Sequence, residues 1–129
     1  MPNSRGLLPP LTFGLALLGQ TLLLYWPSAA SGPDVGLPLD KVAHVLLFAV
    51  VAAAGVWARV PTPVLVALLL AQAAVSEVVQ GVLLDQRGAE WGDLAADVLG
   101  IAVGLTLALW WRGRSHTQSR SPLTGKSRT

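Results

Sequence analysis

Four apolar runs, at about residues 7–26, 42–58, 64–84 and 94–111, dominate this chain of 129 residues. Each approaches the roughly 20 residues that carry a helix across a bilayer. Hydrocarbon offers no partner to backbone N–H and C=O groups, so runs of this length must satisfy them internally, as helices. No alternating apolar and polar period points to a β-barrel. The fold class expected is therefore all-α, an integral membrane four-helix bundle. Composition agrees, because 53% of the residues are hydrophobic and only 12% charged, too few polar groups to cover a soluble globule of this length.

The links support the same division. Residues 59–63, Arg-Val-Pro-Thr-Pro, place two prolines between the second and third runs, stopping one helix and starting the next in a tight antiparallel hairpin. The first link, Pro27 to Asp40, is rich in Pro, Gly and Ser. Residues 1–112 read as one transmembrane domain. The basic stretch 113–129 lacks an apolar period and is expected to be a disordered cytoplasmic tail.

Charge gives an orientation. Arg5, Arg59 and the tail cations Arg112, Arg114, Arg120, Lys126 and Arg128 fall on one side of a four-span arrangement, whereas the opposite links carry Asp34, Asp40 and Lys41, then Asp85, Arg87, Glu90 and Asp93. The positive-inside rule puts both termini in the cytoplasm. Trp26 and Trp91 then mark the outer interface, and Trp57, Trp110 and Trp111 the inner one. A competing reading takes the first run, followed by Ser28, Ala29 and Ala30, as a cleaved secretory signal, which leaves three spans in the same orientation. Cysteine is absent, which excludes disulfide and thiol chemistry. The basic tail fits topology and contact with anionic membrane lipids better than nucleic-acid binding.

The stretch from Ser76 to Gly100 holds five of the seven acidic residues, namely Glu77, Asp85, Glu90, Asp93 and Asp97. Carboxylates in hydrocarbon are costly, so they must be turned inward and partnered. Asp40, Lys41 and His44 open the second run, Glu77 and Gln80 lie in the outer third of the third, and Asp93 and Asp97 open the fourth. These residues share one depth. Asp93, Asp97, Gly100 and Gly104 step by four, three and four, which aligns them on one helix face, and Gln72, Ser76 and Gln80 form a second stripe. The expected result is an outward-facing polar pocket lined by Asp40, Lys41, His44, Glu77, Gln80, Asp93 and Asp97, with Arg87 on the link above.

The pattern Asp-Lys-x-x-His (Asp40, Lys41, His44), then Glu-x-x-Gln (Glu77, Gln80), then Arg87, then Asp-x-x-x-Asp-x-x-Gly-x-x-x-Gly (Asp93, Asp97, Gly100, Gly104) resembles the VanZ-like family over about residues 39–105. That resemblance implies a small multi-pass protein of the bacterial plasma membrane, in a family whose founding member is associated with teicoplanin resistance. It implies no reaction. Asp97 stands where relatives often carry Asn, which adds a potential charge.

Three function classes follow. The pocket binds a lipid-linked or cell-wall-related ligand, with Lys41 and Arg87 meeting an anionic headgroup. Alternatively His44 with Glu77, Asp93 or Asp97 forms an acid–base pair of a hydrolase or transferase. A transporter ranks last, because the second run beyond His44 and the fourth beyond Asp97 are apolar. A single imidazole and no thiolate make a metal site a minor variant, so no metal or cofactor is expected. Structural roles compete at several positions. Asp40 and Asp93 suit helix starts, and Gly100 with Gly104 suits close helix packing rather than ligand approach. Glu77 pairs with Lys41, His44 or Arg87 if its role is structural.

Overall fold

The computed structural model describes residues 4–25, 39–83 and 91–118, and contains four helices: α1 (Ser4–Leu24), α2 (Leu39–Trp57), α3 (Thr62–Leu83) and α4 (Trp91–Gln118). All four are long and apolar enough to cross a membrane, which makes the chain a multi-pass membrane protein. Helices α2 and α4 run parallel. Lys41 meets Asp93 at their N-terminal ends, and Arg112 Nη1 donates to the Val56 carbonyl at their C-terminal ends. Helices α1 and α3 run the other way, since the C-terminal end of α1 meets that of α3 where Gln80 Nε2 donates to the Leu24 carbonyl at 2.8 Å.

Apolar surface is distributed for lipid rather than water. Leu7, Leu11, Leu15, Leu18, Val50, Val64, Val78 and Leu107 are exposed. A smaller core of Phe48, Val51, Ala52, Val56, Leu65, Leu69, Ala73 and Ile101 joins the helices. Hydroxyls inside the helices bond to their own backbones, as where Thr12, Thr21 and Thr106 donate to the Leu8, Leu17 and Ala102 carbonyls. Each hydroxyl is thereby satisfied without leaving its helix.

The α2–α3 hairpin turns as its sequence requires. Val60 N–H donates to the Gly55 carbonyl and Arg59 N–H to that of Val56, the paired bonds of a Schellman stop, with Arg59 in the left-handed region at φ 60°. Pro61 follows, where an N–H is no longer needed.

Helix limits differ from the apolar runs. Helix α2 begins at Leu39 rather than at residue 42 because the polar Asp40 and Lys41 form its first turn. The expected break after residue 112 is corrected, since α4 continues to Gln118. Near its end the Arg114 guanidinium sits 3.8 Å over the Trp110 ring, and Ser115 Oγ donates to the Trp111 carbonyl. The rest of the expected tail lies outside the described residues, as do Trp26 and the links at 26–38 and 84–90. Trp57, Trp91, Trp110 and Trp111 are all exposed, the first two at helix ends and the last two about two turns before the end of α4.

The tightest seam joins α2 to α4. Helix α4 buries Asp93, Ala96, Asp97, Gly100, Ile101 and Gly104 along one stripe, and a Cβ added at Gly100 would collide with the Val45 carbonyl, one at Gly104 with that of Ala49. Backbone faces backbone there, as small residues at four-residue spacing permit. Gly104→Ala is therefore expected to cost about 1–3 kcal/mol by overpacking. Gly14→Ala, where an added Cβ meets nothing within 4 Å, serves as the control. Thermal unfolding in detergent measures both, and equal stability of the two variants would contradict the close seam.

Candidate functional site

The buried polar side chains among the described residues are Gln20, His44, Ser76, Glu77, Gln80, Asp93 and Asp97. All lie in one half of the bundle, toward the starts of α2 and α4 and the ends of α1 and α3. His44 is five residues inside the start of α2, Asp97 six inside that of α4, and Glu77 six before the end of α3. At about 1.5 Å per residue each lies roughly 7–9 Å below a helix end.

Two rungs cross the α2–α4 seam. Lys41 Nζ pairs with Asp93 Oδ1 at 3.0 Å, with side chains 38% and 9% exposed. One turn deeper, His44 Nδ1 meets Asp97 Oδ1 at 2.7 Å, with side chains 3% and 0% exposed. The spacings of three on α2 and four on α4 put both rungs on facing stripes. The outer rung is wet and the inner one dry. The contact needs one hydrogen between the two atoms, and either the imidazole or the carboxyl group can carry it. Asp97 Oδ2 is buried with no hydrogen-bond partner among the described residues.

Glu77 completes the centre from α3. His44, Glu77 and Asp97 each place a donor atom within 4.8 Å of the others, and Asp40, His44 and Asp93 form a second set that shares the imidazole. Of the seven residues expected to line a pocket, Asp40, Lys41, His44, Glu77, Asp93 and Asp97 are brought together, and two of the seven take other roles. Gln80 gives its amide to the carbonyl of Leu24 and so ties α3 to α1 by satisfying a terminal carbonyl of that helix. Asp40 is exposed in the first turn of α2, where the helix dipole favours a carboxylate. Arg87 lies outside the described residues.

The rest of the Gln stripe also serves α1 and α3. Gln72 Nε2 donates to Thr21 Oγ1 at 3.2 Å, while Ser76 Oγ returns to the Ala73 carbonyl. Sequence reasoning missed Gln20. Both ends of its amide are buried without a partner among the described residues. A single amide within the apolar run Leu17-Leu18-Gly19-Gln20 was the available signal. At the opposite end, a cleft of about 350 Å³ is lined by Val56, Trp57, Arg59, Trp111, Arg112 and Ser115, and contains none of these groups.

No family model, curated protein or solved structure matches the chain. What the centre can do therefore rests on its own chemistry: a His–carboxylate contact that can pass a proton, and oxygen and nitrogen donors that can hold a cation.

Removing one partner of a buried pair strands the other. His44→Leu is expected to destabilise the protein by about 3–5 kcal/mol, and His44→Leu with Asp97→Leu by much less than the sum of the single changes. Additive losses would show that the pair is uncoupled. In this cysteine-free chain, cysteines at 77 and 97 should join through a short crosslinker, whereas cysteines at the lipid-facing Val78 and Val98 should not. The reverse pattern would remove Glu77 from the centre.

Proposed function

We propose that this chain is a VanZ-like protein of the bacterial plasma membrane whose polar centre opens to the outer face and binds an anionic lipid-linked or cell-wall-related ligand. One observation carries the reading: the buried polar side chains are gathered at a single end of a bundle whose other half is packed with Phe48, Val51, Val56, Leu65 and Leu69. Polar groups gathered at one end, above an apolar half, suit a ligand that is met and released from the same side. That arrangement disfavours a conduit. Sidedness follows from the cations, because Arg59, Arg112 and Arg114 gather at the other end and the positive-inside rule assigns that end, with both termini, to the cytoplasm.

The Lys41 ammonium, paired with Asp93 but partly exposed, stands at the outer edge of the centre, and the start of α2 beside it adds the positive end of a helix dipole. Both favour a phosphate or carboxylate headgroup. Below them, the 2.7 Å contact between His44 and Asp97 favours a second reading, in which the bound ligand undergoes an acid–base step of the hydrolase or transferase type. The motif order from Asp40 to Gly104 supports the family assignment, and with it an effect on teicoplanin susceptibility.

The test compares a deletion strain carrying wild type, Glu77→Gln or empty vector, by envelope lipidomics and teicoplanin susceptibility. Wild type should change a lipid-linked or cell-wall species, and Glu77→Gln should match the empty vector while accumulating normally in the membrane. Identical envelopes and susceptibilities in all three strains would remove the ligand reading. Orientation is tested separately, since a cytoplasm-dependent reporter after Thr129 should be active and a tag near Gly88 accessible in intact spheroplasts. An inaccessible Gly88 tag would invert the protein.

A further inference from the structure

We propose that His44, Glu77 and Asp97 form a binding site for one divalent cation of the Zn²⁺ or Mn²⁺ type. The three donors come from three different helices, α2, α3 and α4, yet one ligand atom from each lies within 4.8 Å of the other two. All three residues are buried, Asp97 completely. Ligand atoms around a tetrahedral ion with bonds near 2.1 Å lie about 3.4 Å apart. Three donors confined within 4.8 Å of one another come near that spacing, and the 2.7 Å His44–Asp97 hydrogen bond has to open for both of its atoms to face one ion. Side-chain adjustments on the order of an ångström bring the donors around an ion.

Asp97 supplies the second, independent observation. Its Oδ1 is occupied by His44, but its Oδ2 is enclosed with no hydrogen-bond partner among the described residues. A buried carboxylate oxygen has only lone pairs to offer, so what satisfies it must be a donor or a cation. With Glu77 adding a second carboxylate beside the same imidazole, a divalent cation suits the Asp97 oxygen better than a neutral donor does.

The neighbouring set of Asp40, His44 and Asp93 does not compete. Its Asp93 already holds the Lys41 ammonium, and its Asp40 is exposed. Ligand type narrows the ion. One imidazole with two carboxylates and no thiolate suits Zn²⁺ or Mn²⁺, while Mg²⁺ prefers an all-oxygen octahedron and Cu⁺ prefers sulfur. Three protein ligands leave a coordination position open. The cation site stands whether or not the polar centre takes an envelope ligand.

The experiment uses the full chain purified in detergent, stripped with a chelator and titrated with Zn²⁺ or with Mn²⁺ alone. Calorimetry should show one ion per chain, and the bound Mn²⁺ should show ¹⁴N coupling in pulsed electron paramagnetic resonance, the signature of an imidazole ligand. Asp97→Asn and Glu77→Gln, which keep size and hydrogen-bonding capacity, should weaken binding by about 100-fold or more. His44→Gln should abolish the ¹⁴N coupling, whereas His116→Gln, which alters the other histidine of the chain, should preserve it. If a variant fails to fold, the coupling in wild type and in His116→Gln still decides the matter. No stoichiometric binding of either ion to folded wild type, binding without ¹⁴N coupling, or affinity unchanged in folded Asp97→Asn overturns the proposal. Failure of the strain comparison would leave these readouts untouched.

Discussion

Hydrocarbon solvates no unpaired polar group, and the parallel seam between α2 and α4 is where this bundle meets that constraint. Aspartate has a short side chain, so Asp93 and Asp97 reach Lys41 and His44 only if the two backbones approach closely. Gly100 and Gly104 allow that approach by placing α4 against the Val45 and Ala49 carbonyls. The apolar half of the seam thus sets the geometry of the polar half. A larger residue at position 104 acts on the His44–Asp97 contact from two turns away, without touching either partner.

The two rungs divide the work of bringing charge into the membrane. Lys41 and Asp93 sit where water still reaches, so their pairing orders the helix starts at modest energetic gain. His44 and Asp97 are dry, and each meets the other directly, with Glu77 close by. Parallel packing of α2 and α4 also brings two helix N-termini to this end, whose partial positive charges favour the acidic residues in their first turns. The opposite end collects Arg59, Arg112 and the stacked Arg114 beside exposed tryptophans. Charge is therefore sorted along the bundle axis, acidic and polar at one end, basic and aromatic at the other.

Much of this was legible in the sequence because membrane helices expose their logic twice. Apolar length gave the four helices, and the four-three-four steps from Asp93 to Gly104 gave the face that α4 buries. The limits were less legible, since a helix need not end where hydrophobicity does: Arg112 and Arg114 continue α4 as readily as leucine would, and Asp40 and Lys41 belong to the first turn of α2. Roles were harder than positions. Spacing placed Gln80 in the polar stripe, but only the arrival of the α1 terminus made it a tether for the Leu24 carbonyl. Gln20 had no periodic companion on α1, and a lone amide carries no pattern until its neighbours are in place.

Side-chain length follows helix separation throughout the centre. Where α2 and α4 nearly touch, Asp97 suffices to reach His44. Helix α3 packs less extensively on both, and it contributes the longer Glu77. Between α3 and α1, where backbone contact is slight, glutamines bridge the gap at Gln72 to Thr21 and Gln80 to Leu24. Exchanging Asp for Glu at these positions preserves charge and burial but not reach, because each methylene moves a carboxylate by about 1.5 Å, a large step against hydrogen bonds that weaken steeply beyond about 3.2 Å. The identity of each polar residue is thus fixed by the packing of the apolar residues around it. Asp97 belongs to the glycine seam, Glu77 to the looser third helix, and the imidazole between them serves both because His44 is held by the closest-packed pair in the bundle.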